Sequence, residues 1–392
     1  MLTFKDAPLK RVERWSLRDG SVSQRRVLFE SANIVLREMV AAQDGLYISG
    51  LERGAARLFF LPFESEQPIP IALPFDGALT GLEASAHERG AVFRLEGWTT
   101  PPRWFAHDPA SSGAPVDLRI GAPSPVTFDD VVVSRIEVRS HDGVLVPVTL
   151  LYRRDMKRDG SNPTWLSAYG GYGIPLSPTF KPVRKAWLER GGVYALAHVR
   201  GGGELGEPWH KAGQKENKKN SILDLLACAE QLIRDGYTSP RTLAVWGQSA
   251  GGIVANGAIV RRPDLFAAAV VDVGYANMLR LEQSPGGPHN AEEFGSVKTR
   301  EGFEALLGMD AYHQVKDGTS YPAVLFSTGI NDPRVAPWQT AKMAARLQAA
   351  TSSERPILLR VAFDDGHGVG SLQQAEARRY ADVYTFLFSR LR

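Results

Sequence analysis

The chain has 392 residues, 43% of them hydrophobic and 23% charged, with a formal net charge of +3. That length exceeds one ordinary domain and points to two. The near-neutral charge gives no ground for a nucleic-acid or membrane partner, and there is no run of about 18 apolar residues to span a bilayer.

Residues 1–126 read as all-β. Short apolar or alternating runs at 27–29, 34–36, 45–48, 57–60 and 91–95 are separated by turn formers such as Gly20, Gly50, Pro62, Gly77, Gly90 and Pro101. Such spacing predicts antiparallel meanders. A propeller blade takes about 40–50 residues, so the region holds roughly two to three blades, too few for the four or more of a closed propeller. A small sandwich is the alternative. The opening MLTFKDAPLKRVERW has no apolar signal core, so the expected location is cytoplasmic.

Residues 127–392 read as α/β. A strand at 131–138, the turn His141-Asp142-Gly143 and an apolar run at 144–151 predict a hairpin. Strands at 165–168, 192–199, 243–246, 266–273, 323–328 and 357–362 then alternate with helices at 221–234, 253–260, 338–350 and 375–391. The first helix would take Asn220 or Ser221 as its N-cap. This alternation implies a mostly parallel sheet with helices on both faces. The single cysteine, Cys228, lies in the apolar run 223–233 and reads as a buried structural thiol, which leaves no intramolecular disulfide. GGGELG at 201–206 matches G-x-G-x-x-G literally. A dinucleotide site needs a helix opening at once, and the next apolar helix is expected only near 221. No nucleotide, metal or other cofactor is expected.

The chemistry centres on RTLAVWGQSAGGIVANGAIVRR at 241–262. A buried strand, the G-x-S-x-G turn Gly247-Gln248-Ser249-Ala250-Gly251 and an apolar helix are the context of a nucleophile elbow. Side chains at 247 or 251 would collide with neighbouring backbone as the chain turns. A serine needs a base, and the base an orienting acid. In α/β-hydrolases these follow in the order Ser, Asp or Glu, His. His367, in Asp-Asp-Gly-His-Gly just past the last strand, is better placed than His289 or His313. Asp332 follows the strand at 323–328 and is preferred over Asp272, Asp364 and Asp365. Oxyanion donors are expected from the backbone N–H of Ala250 and from the loop at Tyr169-Gly170-Gly171.

Tyr169-Gly170-Gly171-Tyr172, Val199-Arg200-Gly201-Gly202-Gly203-Glu204, Trp209-His210-Lys211, Gly236-Tyr237-Thr238-Ser239-Pro240, Gly247 to Gly252, Arg262-Pro263-Asp264-Leu265-Phe266, Asp332-Pro333-Arg334-Val335 and Gly366-His367-Gly368 occur in order over 127–392. Together they resemble the prolyl oligopeptidase family of serine peptidases. The resemblance implies an α/β-hydrolase domain beside a propeller that restricts substrates to short peptides. It implies a triad of Ser249, Asp332 and His367, and an oxyanion hole from the Tyr169 hydroxyl and the Ala250 N–H. It also implies that Arg334 holds a substrate carbonyl, and that Tyr172, Phe294 and Val335 line the pocket for the residue before the scissile bond. Where prolyl-specific members carry a tryptophan, this chain has Asn290, so weaker proline preference is expected. Set against the family, the chain is expected to begin inside the propeller, either from a shortened gene or as a fragment of a longer one. The partial propeller should therefore expose strand edges, and homo-oligomers are expected. The function expected is a serine hydrolase acting on short peptides, with a carboxylesterase and a non-catalytic interaction protein as alternatives.

Overall fold

In the computed structural model, residues 1–111, 113–284, 286–368 and 373–391 are described. They divide into two units, Met1–Asp129 with Pro175–Pro182 and Gly203–Trp209, and Asp130–Ile174 with Val183–Gly202 and His210–Arg392.

The first unit is built from three antiparallel sheets. Strands β1 (Leu2–Thr3), β2 (Arg11–Arg18) and β3 (Ser21–Glu30) form one. A four-stranded meander holds β4 (Val35–Ala41), β5 (Gly45–Glu52), β6 (Ala55–Pro62) and β7 (Ile69–Ile71), and another holds β8 (Ala78–Glu83), β9 (Ala91–Glu96), β10 (Arg103–His107) and β11 (Val116–Asp117). These are the blade-like meanders expected. Successive residues of a strand face opposite ways, and the middle sheet uses both faces. Tyr47, Leu58 and Phe60 pack with Phe93, Leu95 and Phe105, while Ile48 and Leu61 pack with Val12 and Leu36. Each such burial contributes about 1.5–3 kcal/mol. The segments 175–182 and 203–209 belong here through specific bonds: Phe180 N–H donates to Glu96 Oε2 at 2.9 Å, and Leu176 N–H to Glu204 Oε1 at 2.8 Å.

The second unit contains an eight-stranded sheet. Its strands are β12 (Val131–Arg139), β13 (Leu145–Arg153), β14 (Thr164–Ser167), β15 (Val193–Ala197), β16 (Leu243–Gln248), β17 (Ala268–Asp272), β18 (Ala323–Gly329) and β19 (Ile357–Ala362), in the order β12-β13-β15-β14-β16-β17-β18-β19. β13 pairs antiparallel with β12 and β15, and the rest pair parallel. β17 and β18 are buried along their whole length, which is why their sequences are continuous apolar runs and not alternating ones. β14 has the earlier β15 crossover on one side and β16 on the other. The carboxyl ends of β14 and β16 therefore flank a topological switch point, where open α/β sheets place their sites.

Two expectations about helices are corrected. The helix predicted from 221 begins at Lys218 and runs to Arg234, directly after the 3₁₀ turn Lys215–Asn217. Neither Asn220 nor Ser221 caps it. Asn220 Nδ2 donates to Ala212 O at 2.9 Å and Ser221 Oγ to Arg200 O at 2.6 Å, so both side chains secure the preceding loops. A five-residue helix, Glu207–Lys211, also opens right after GGGELG. At five residues it is too short to carry an apolar face, so periodicity gave no signal for it. Among the described residues no helix is long and apolar enough to cross a membrane.

Candidate active site

Ser249 stands between β16 and the elbow helix Gly251–Arg261 with φ +53°. Left-handed backbone at a non-glycine residue costs of order 1–3 kcal/mol and persists only where the surroundings hold it. Here Ser249 N–H donates to Asp272 O at 3.0 Å, and Ser249 O accepts from Gly252 N–H at 2.9 Å. The flanking glycines leave no room for side chains. A Cβ on Gly247 would lie 2.6 Å from Ala255 Cβ, and one on Gly251 would lie 2.6 Å from the Ala168 carbonyl oxygen.

The structure brings Ser249, His367 and Asp332 into one hydrogen-bonded line. His367 Nε2 is 3.0 Å from Ser249 Oγ, and His367 Nδ1 is 2.7 Å from Asp332 Oδ2. A carboxylate only accepts, so Nδ1 carries the hydrogen and Nε2 presents its lone pair to the serine hydroxyl. The Asp332 side chain is fully buried, and its other oxygen accepts the N–H groups of Arg334 at 2.8 Å and Val335 at 2.9 Å. The loops after β18 and β19 are tied together. Asn331 N–H donates to Asp365 O at 3.2 Å, and Asn331 Nδ2 to Phe363 O at 3.1 Å. Asp332 and His367 therefore arrive on joined loops.

Asp272 and His313 are engaged elsewhere. The buried Asp272 carboxylate takes the Ser327 hydroxyl and the Arg379 guanidinium. His313 pairs with Asp310 at 3.0 Å. His289 is exposed in the 3₁₀ turn Gly287–Asn290.

The loop after β14 places Tyr169 against Ala250, next to Ser249. Burial pushes the Tyr169 hydroxyl pKa above the usual tyrosine value against the opposing pull of the Ser249 side chain, so it stays a protonated donor. Gly171 lies close against Ala250: a Cβ there would be 3.3 Å from Ala250 Cβ. Arg334 is exposed, and its charge acts on Tyr169. Asn290 Oδ1 accepts the Tyr172 hydroxyl at 2.7 Å, and its Nδ2 donates to the Tyr275 hydroxyl at 3.4 Å. Phe294 and Val335 lie one layer deeper than expected, 0% and 1% exposed. The rings of Tyr172 and Tyr275 pack edge-on to Phe294 at 5.4 and 6.1 Å between centroids, so half-buried Tyr172 lies outermost, with Tyr275 and Phe294 buried behind it.

The prolyl oligopeptidase family description matches residues 178–392. The chain belongs to the prolyl oligopeptidase family. Family relatives include a prolyl endopeptidase from Elizabethkingia meningoseptica, 35% identical over 319 residues that cover 81% of this chain and 45% of that protein. A dual function macrocyclase-peptidase from Amanita bisporigera is 29% identical, covering 98% of this chain and 54% of the relative. Among solved structures, one from a structural and mechanistic study of two prolyl endopeptidases superposes with a TM-score of 0.94 at 30% identity, covering all of this chain and 57% of the other. Prolyl oligopeptidase B from Galerina marginata superposes with a TM-score of 0.93 at 26% identity, covering 56% of that chain. The chain thus spans about half the length of the family relatives it matches.

Several residues at the site escaped sequence reasoning. Tyr275 donates its hydroxyl to Arg334 O at 3.2 Å, and burial raises its pKa to about 12. Glu293 Oε1 accepts the Tyr172 N–H at 2.7 Å, and Glu293 Oε2 meets His210 Nε2 at 2.7 Å. The Trp209-His210-Lys211 stretch was visible as a motif, but nothing local pointed to its partner at 293.

Proposed function

We propose that this chain is a serine hydrolase of the prolyl oligopeptidase type that cleaves short peptides through an acyl-Ser249 intermediate. The observation that carries the reading is the line Ser249–His367–Asp332, at 3.0 and 2.7 Å, with Tyr169 packed beside Ala250 next to the same serine. Family membership supports it. Ser249 Oγ attacks the substrate carbonyl carbon while His367 Nε2 takes its proton, and Asp332 stabilises the imidazolium that forms. The carbonyl oxygen becomes an oxyanion that accepts hydrogen bonds from the Tyr169 hydroxyl and the Ala250 N–H. His367 then gives its proton to the leaving amine as the C–N bond breaks. Water repeats the cycle on the acyl-enzyme, with His367 again as base. None of these steps requires a group beyond the chain's own residues. Arg334, exposed and close to Tyr169, is the cation for a substrate backbone carbonyl.

In the place of a stacking indole the pocket wall carries the Tyr172–Asn290–Tyr275 hydrogen-bond chain, which supports a weakened preference for proline. Self-association through the first unit belongs to the same reading. It is supported by Leu17, Val22 and Val27 on β2 and β3, which are 67%, 39% and 45% exposed. Light scattering that returns a monomer at all concentrations removes that part.

The test of the function is covalent labelling with a fluorophosphonate, together with turnover of a proline-containing chromogenic peptide, a peptide with a basic residue before the scissile bond and a p-nitrophenyl ester. Wild type should be labelled and Ser249→Ala should not. Peptide turnover that survives Ser249→Ala removes the assignment, and turnover of the ester alone makes the enzyme a carboxylesterase.

A further inference from the structure

Lys218 opens its helix yet is only 1% exposed. Its ammonium donates to the Gly170 carbonyl, lies 3.8 Å from Glu293 Oε1 and sits 5.4 Å from the centre of the Phe294 ring. Glu293 is 4% exposed. One of its oxygens accepts the Tyr172 N–H at 2.7 Å, and the other meets His210 Nε2 at 2.7 Å and Gln214 Nε2 at 3.4 Å. Taking charges out of water is costly, and apolar replacements of buried ion pairs are commonly as stable. Stability alone therefore does not account for this cluster. Burial pulls the lysine pKa down to about 8, and Glu293 opposes that pull.

What the cluster grips is informative. Lys218 holds the peptide oxygen of Gly170, and Glu293 holds the peptide N–H of Tyr172. These two groups bracket the turn that begins at Tyr169. The turn has left-handed backbone at Gly170, φ +63°, and at Tyr172, φ +57°. For a tyrosine that conformation is uncommon and needs external support.

We propose that Lys218, Glu293 and His210 are positioning residues for the oxyanion donor: by clamping both sides of the Tyr169–Tyr172 turn they keep the Tyr169 hydroxyl aimed at the carbonyl of the substrate on Ser249. The proposal rests on the hydrolase reading above. A donor held in place before reaction needs no reorganisation when charge develops, and the clamp supplies that rigidity from outside the reacting groups. Its effect falls on the transition state and leaves ground-state binding nearly untouched.

The test is a double-mutant cycle. Lys218→Met and Glu293→Gln are each made alone and with Tyr169→Phe, and kcat and KM are measured on one chromogenic substrate. Small misplacements of a catalytic group cost up to about 100-fold, so each single variant should lower kcat about 5- to 20-fold with KM within about 3-fold. In the Tyr169→Phe background, where the donor is gone, the same changes should lower kcat less than about 2-fold. Losses that multiply, effects confined to KM, wild-type kcat in the single variants or wild-type kcat in Tyr169→Phe each overturn the proposal. If Lys218→Met does not give a cooperative thermal transition, the Glu293→Gln cycle, which keeps the side-chain shape, decides alone. Absence of Ser249-dependent turnover in the wild type removes the hydrolase reading and this proposal together. A multiplicative cycle in an active enzyme removes only the proposal.

Discussion

Asp332→Asn replaces one oxygen by an amide nitrogen, and the surroundings dictate which. Asp332 Oδ1 accepts two backbone N–H groups, from Arg334 at 2.8 Å and Val335 at 2.9 Å. An NH₂ group there would face two donors at hydrogen-bond distance, so the amide oxygen takes that position. The NH₂ is left opposite His367 Nδ1, where Oδ2 accepted at 2.7 Å. A donor at that place selects the tautomer with its hydrogen on Nε2. The nitrogen facing Ser249 Oγ at 3.0 Å then has no lone pair to offer. The base is disabled while the geometry is kept. In serine hydrolases this fault lowers kcat about 10⁴-fold, or about 5.4 kcal/mol of transition-state stabilisation. The assay is kcat and KM on a chromogenic peptide near pH 8, with a thermal melt alongside. KM and the melting temperature should change little. A variant within about tenfold of wild-type kcat, or a crippled Asp365→Asn beside an active Asp332→Asn, would refute the reasoning.

Tyr169→Phe should lower kcat about 10²- to 10³-fold with little change in KM, the cost of one oxyanion donor, and steady-state kinetics that leave kcat at the wild-type value make Tyr169 a packing residue. Asn290→Trp should raise the proline-to-alanine ratio of kcat/KM by about 2- to 10-fold, because an aromatic face adds about 0.5–1.5 kcal/mol; an unchanged ratio places the specificity elsewhere. Asp224, 0% exposed, holds Arg200 through its side chain and backbone and receives the Ser140 hydroxyl. Asp224→Ala should lower the unfolding free energy by about 3–5 kcal/mol, since it strands a buried guanidinium that keeps only Asp142 as an acidic partner. Urea denaturation reads this directly, and a loss below about 1 kcal/mol shows that water or Asp142 suffices.

What could be read from the sequence was what is local. Strand, turn and nucleophile helix lie within 241–262, so the elbow was legible from apolar runs and glycine spacing alone. Asp332 and His367 could be placed because each follows a strand whose apolar run was clear. The blade-like sheets were legible as alternation between turn formers. By contrast, Tyr172 and Glu293 are 121 positions apart, and Lys218 and Gly170 are 48 apart. No periodicity links such pairs, and a lysine at a helix start reads as a solvated side chain until the fold closes over it. The helix boundary failed for a related reason. Ser221 looked like a cap, but its hydroxyl was claimed by Arg200 O, a tertiary partner that local propensity does not register. Phe294 and Val335 were expected to line the pocket by resemblance, and only packing shows how deeply both are buried.

The ties from Asn331 to Asp365 and Phe363 join the loop that bears Asp332 to the loop that bears His367. Mechanically, Asp332 and His367 form one jaw and Ser249, locked into the elbow, forms the other. Any displacement of these loops against the elbow would fall on the Ser249–His367 contact and not on the His367–Asp332 contact. On the proposed hydrolase reading, such a displacement would part His367 from Ser249 while the Asp332 carboxylate kept the hydrogen on Nδ1.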